Sequence, residues 1–272
     1  MKKYLSITGF VALYLLIVYE FSDVIANLWF SGVLPKNFAD RNYDLISLIG
    51  FLLVLMAYAL ILKLRKKSLI KICNFSKLSA KNFISIAIIG ALMGGFTCCF
   101  CNIGFIHKNT IFEQYLNYQA NGSRYFVTFL IIIAITFAFE EMIFRGTIFN
   151  EIRNGGVSLY KAIIISTAIY GILNGVTMGY AIGTYAFVAA LFYTLAYVYM
   201  GSLFASITLQ IASIYVIYIF MKMGIWQWLG SLGDVALAIF TIVIMAVIGI
   251  FYYFMFNSYK KSSAGKQTSI SV

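Results

Sequence analysis

Residues 125–146 read YFVTFLIIIAITFAFEEMIFRG. An apolar run from Tyr125 to Phe139 ends in two adjacent carboxylates, Glu140 and Glu141, with Arg145 following one helical turn later. Such a run reads as a helix at membrane depth, where an ionised group costs about 2.5–3.5 kcal/mol on insertion scales. Three charges together need partners, and ionisable groups inside a membrane are by default read as functional. On a helix Glu141 and Arg145 share a face, with the acid N-terminal to the base, the favourable order. Glu140 points about 100° away from Glu141. Arg145 can therefore neutralise Glu141 while Glu140 faces a different neighbour. The competing account is a structural ion cluster near the interface, with no reaction.

The rest of the chain fits a membrane setting. Of its 272 residues, 62% are hydrophobic and 11% charged, with a mean hydropathy of +0.92. That leaves too little polar surface for a water-soluble domain of this size. Runs of about 20 apolar residues mark membrane-crossing helices. Eight are predicted, at roughly 5–30, 45–63, 83–106, 125–149, 160–177, 182–200, 203–221 and 234–257. The expected fold class is an all-α polytopic membrane bundle forming one domain over 1–256, with a short flexible cytoplasmic tail over 257–272. The first span carries Glu20 and Asp23 and is the least regular, so a bend or an interfacial segment is expected there. Met1-Lys2-Lys3 ahead of it resembles a signal peptide, but no clear cleavage site follows, and it reads as a retained helix.

Cation placement orients the bundle. With both termini cytoplasmic, fifteen of the twenty Lys and Arg residues fall on inner segments and span ends, seven of them between Lys63 and Lys81. The other five, Lys36, Arg41, Lys108, Arg124 and Lys222, fall outside. This is the bias expected of cytoplasmic loops. The net charge of +11 thus points to anionic headgroups as partners and not to nucleic acid.

Glu140-Glu141-x-x-x-Arg145-Gly146 resembles the first signature of the CPBP, or Abi, family of intramembrane proteases, which includes the CAAX prenyl endopeptidases. Tyr170-Gly171-Ile172-Leu173-Asn174 resembles the family's second motif, with Tyr for the usual Phe and Asn174 in the histidine position. The segment from Gly201 to Gln210 resembles the third, with Gln210 in the histidine position and Ile214 where an Asn follows. The resemblance covers about 125–215, implies an eight-helix bundle, and makes Glu140, Glu141, Arg145, Asn174 and Gln210 the site residues. In active members the first Glu and the second-motif His are thought to activate water, while the third-motif His and Asn stabilise the oxyanion. Some descriptions make these residues zinc ligands.

The departures shape the functional expectation. The single histidine, His107, lies in a predicted outer loop and on no motif. A zinc site would lack its imidazoles, so no metal and no cofactor are expected. The favoured reading is a pseudoprotease of a bacterial plasma membrane that binds another membrane protein or peptide, of the bacteriocin-immunity or cell-envelope regulatory type. In it Asn174 and Gln210 hydrogen-bond Glu140 across helices. The alternative is a metal-free glutamic endopeptidase with Glu140 as base and Gln210 as oxyanion donor. A transporter is disfavoured, since no inverted repeat of broken helices is visible.

Tyr170, Tyr193 and Tyr197 either line a polar cavity around Glu140 or belong to an interfacial aromatic belt. Cys98, Cys99 and Cys101 read as packing residues beside Gly94 and Gly95, and Cys73 as a free thiol in the basic loop. Gly90 and Gly94 have the spacing that lets a neighbouring helix come close, within the bundle or across a dimer, and packing in the bundle is favoured.

Overall fold

A helix that is apolar all the way round has no face to offer water and must be covered by protein or by lipid. The computed structural model describes residues 9–17, 43–108, 113 and 126–268 and shows such helices throughout. Helix α1 is described over 9–17. It is followed by α2 (Tyr43–Leu64), α3 (Leu69–Cys73), α4 (Ala80–Asn102), α5 (Gly104–Lys108) and α6 (Phe126–Glu141). The last of these continues as a π-helix (Met142–Phe149) and then as α7 (Asn150–Asn154). Helices α8 (Leu159–Met178), α9 (Tyr180–Met200), α10 (Leu203–Lys222), α11 (Ile225–Gly230) and α12 (Asp234–Thr268) complete the described chain. No strand occurs among the described residues, so the fold is all-α.

Five described helices are long and apolar enough to cross a membrane: α4, α8, α9, α10 and the Asp234–Lys260 part of α12. Helix α2 contributes a shorter apolar stretch, Leu48–Leu64. The predicted span 125–149 is divided by the change from α to π geometry after Glu141. Glu20, Asp23 and most of the first predicted span lie outside the described residues. Helix α12 runs past residue 257 to Thr268, with no proline along it.

The outward faces confirm a lipid setting. Leu52, Met56 and Leu60 on α2, Val127, Ile131 and Ile135 on α6, and Ile172 and Val176 on α8 are all exposed. Each set follows a helical repeat, and in water each would be polar.

Inside the bundle, glycines let backbones touch. A Cβ on Gly90 would lie 2.5 Å from the Leu209 carbonyl oxygen, and one on Gly94 would lie 2.4 Å from that of Ser213. The glycine pair therefore seats α4 against α10, within the bundle. Gly171 and Gly175 of α8 meet Gly183 of α9 in the same way. Helices α8 and α9 are joined by Gly179 alone, at φ 96°, a left-handed conformation that disfavours any residue with a Cβ. These contacts bring Tyr170, Tyr193 and Gln210 towards the helix that carries the acidic pair.

The two ends of the bundle differ. At one, Arg65 and Lys67 bind Glu151 at 2.9 and 2.8 Å, and Asn74 donates to the Gly201 carbonyl at 2.8 Å. At the other, the Gly104 amide donates to Asp234 at 2.8 Å.

Replacing Gly94 with Leu is expected to lower thermal stability in detergent by about 1–3 kcal/mol, the usual range for overpacking. Gly249→Ala, where a Cβ would meet nothing within 4 Å, should be neutral or slightly stabilising. Equal losses in the two variants would contradict the α4–α10 seating.

Candidate functional site

The acidic pair sits where α6 becomes a π-helix. A π turn widens the helix and is found mostly at functional sites. Its shifted carbonyls are taken up locally. The Thr147 hydroxyl donates to the Met142 carbonyl five residues back, at 3.0 Å. The Asn150 side-chain amide lies within 3.0 and 3.2 Å of the Gly146 and Arg145 carbonyls. Sequence periodicity had indicated one uninterrupted α-helix here.

Arg145 is the centre of the site. Its Nη1 donates to Glu141 Oε1 at 2.8 Å, and its Nη2 reaches the Ala190 carbonyl at 3.5 Å. The guanidinium lies between two rings, 4.7 Å from the Tyr170 centroid and 5.2 Å from that of Tyr193. Both charges of the pair are sealed, with Arg145 2% exposed and Glu141 0%. Flat aromatic faces suit a desolvated guanidinium, which is more weakly hydrated than an ammonium. Glu141 Oε2 has no hydrogen-bond partner, because nearby Ser206 donates to the Leu203 carbonyl instead.

Glu140 points elsewhere and is only half-buried. Gln210 Nε2 on α10 donates to its Oε2 at 2.9 Å, and Tyr170 stands near this carboxylate. Asn174 is not part of this contact. Its Nδ2 donates to the Tyr170 carbonyl on its own helix at 2.9 Å. Ile214 is buried among apolar residues near Phe129 and Ile217. Tyr193 stands near Ser213, while Tyr197 lies one turn further on, with its hydroxyl 2.7 Å from the Asn150 amide. Tyr170 and Tyr193 thus flank the charges, and Tyr197 braces the end of the π-helix.

Residues 122–216 match the family model described as type II CAAX prenyl endopeptidase Rce1-like. This segment of the chain is Rce1-like. It holds the acidic pair, Arg145, Asn174, Gln210 and Ile214 together. Comparison with curated proteins and with solved structures gave no match.

The donors around Glu140 do not suit the zinc ion that some accounts of the family invoke. They are a phenol and a carboxamide, and among the described residues no imidazole or thiolate stands with them. His107 lies instead at the far end of the bundle, 3.2 Å from Glu113. Chemically the arrangement can orient one carboxylate by a neutral carboxamide donor, beside a neutralised ion pair.

The sequence reading also missed the floor of the site. Cys73 is fully buried, its Sγ facing the Met142 carbonyl, and a Cβ on Gly146 would collide with it. Gly146 itself was the available signal, since a glycine inside a helix often marks a close neighbour. The Ala190 carbonyl left no signal, because a backbone acceptor has no residue type.

Removing one partner of a buried pair strands the other charge and costs about 3–5 kcal/mol. Arg145→Met should therefore destabilise the protein by about that much in detergent melting. Glu141→Gln combined with Arg145→Met should recover most of the loss. If the double variant is no better than Arg145→Met alone, the two side chains do not act as a pair.

Proposed function

We propose that this is a catalytically degenerate CAAX-protease-like membrane protein that acts by binding, with Glu140, Gln210 and Tyr170 forming a polar clasp in place of a reacting centre. One observation carries this reading. Gln210, in the position of a family histidine, donates to Glu140, while Asn174, in the other histidine position, bonds back to its own helix. A water-activating pair needs a group that can exchange a proton with Glu140, and neither carboxamide can. The clasp ties the end of α6, just before the π-helix, to α10 and keeps the helices of the site in register.

The proposed topology has eight spans with both termini in the cytoplasm. Helices α1, α2 and the α6–π–α7 segment supply the three beyond the five long apolar ones, and the cations cluster at the end that holds Arg65 and Lys67. The partner we favour is a membrane-embedded peptide or protein of a bacterial plasma membrane. This matches a role in bacteriocin immunity or in regulating a cell-envelope enzyme.

Purified protein in nanodiscs, given prenylated CAAX peptides, should show no cleavage above that of Glu140→Gln. Photo-crosslinking from exposed positions on α8 in the native host should capture the same partner in both proteins. Cleavage that disappears in Glu140→Gln would instead establish the endopeptidase, a reading favoured by the partial exposure of Glu140. For the topology, reporter fusions at either terminus should read as cytoplasmic, and a periplasmic signal at one end would remove a span.

A further inference from the structure

The segment from Lys63 to Lys81 joins two apolar helices, α2 and α4, yet it is tied to the site helix at several points. Arg65 and Lys67 both bind the buried Glu151 of α7, at 2.9 and 2.8 Å. The Asn150 amide donates to the Ile72 carbonyl at 2.8 Å. Cys73 fills the space beside Gly146. Further along, the Leu203 amide donates to the Asn74 carbonyl at 3.1 Å, and Ser202 bonds to the Ser76 carbonyl. The segment therefore spans from the π-helix to the start of α10.

Its outer side carries a different character. Lys63, Lys66, Lys71, Lys77 and Lys81 are all exposed. Among the described residues, the one carboxylate at this end is Glu151, already held by two cations. Arg153, Lys161 and Lys260 add exposed positive charge nearby. Large apolar side chains stand between the lysines: Leu64 is 77% exposed and Ile70 68%. Ammonium groups interleaved with exposed apolar side chains match the surface of an anionic leaflet, which offers phosphate charge above and acyl chain below.

We propose that residues 63–81 are a strap that docks on anionic lipid headgroups and thereby holds the π-helical segment in place. The lysines anchor the strap to the leaflet, and Arg65, Lys67, Ile72 and Cys73 transmit that anchoring to Glu151, Asn150 and Gly146. This holds whether or not Glu140 is catalytic.

Cys73 is the reporter, since burial pushes its thiol up to about 12 and protects it from alkylation while the strap is seated. The experiment measures iodoacetamide labelling of Cys73, resolved by peptide mass spectrometry, with the whole protein in nanodiscs. Discs of phosphatidylcholine alone are compared with discs containing phosphatidylglycerol. Labelling is expected to be several-fold slower with phosphatidylglycerol, and high salt should abolish the difference. The variant Lys63→Gln, Lys66→Gln, Lys71→Gln, Lys77→Gln, Lys81→Gln should label alike in both discs. Equal rates for the native chain, or slowing that survives high salt, would overturn the proposal, and the salt arm decides even if the variant fails to fold. Inorganic phosphate added to phosphatidylcholine discs should change nothing. Slowing by free phosphate would overturn membrane docking in favour of a soluble-anion site.

Discussion

A guanidinium and a carboxylate with almost no exposed surface can persist among apolar helices only if every neighbouring group supports them. Arg145 and Glu141 are in that position, and much of the surrounding structure answers to it. The two tyrosine rings, the Ala190 carbonyl and the π turn each bear on one side chain. The attraction between the pair is strong where water is excluded, but so is the cost of desolvating each charge. The net gain is small and the penalty for losing either member is large. That asymmetry resists the loss of either member alone.

The neighbouring carboxylate has fewer constraints. A histidine beside Glu140 could take and return a proton, whereas the Gln210 carboxamide does not titrate. Polar contacts between membrane helices are modest in strength. Their value lies in direction, since the Gln210 amide orients one oxygen of the Glu140 carboxylate.

The all-α membrane class was legible from composition because lipid-facing residues must be apolar whatever the fold. The Glu141–Arg145 contact was legible because it depends on helical spacing alone. The α4 crossing could be read from Gly90 and Gly94, since small residues at that spacing have few other uses. The π-helix could not be read, because its residues are ordinary helix formers and widening depends on what packs outside, chiefly Cys73 against Gly146. Asn174 was expected to cross to Glu140 and instead bonds to its own helix. The sequence position of a carboxamide does not decide between a partner four residues back and one on another helix. Tyr197 likewise shares a helical face with Tyr193, yet one turn of rise carries it past the charges to Asn150.

The link between α8 and α9 is one glycine long, and beyond it the two backbones touch at Gly171, Gly175 and Gly183. Such a pair has little freedom to enter a bilayer one helix at a time. During synthesis it would partition as a preassembled hairpin, delivering Tyr170 and Tyr193 together on a single rigid body. The slot for the guanidinium would then be half-built before the last helices leave the ribosome, and Arg145, made first, would meet both aromatic walls in a single step.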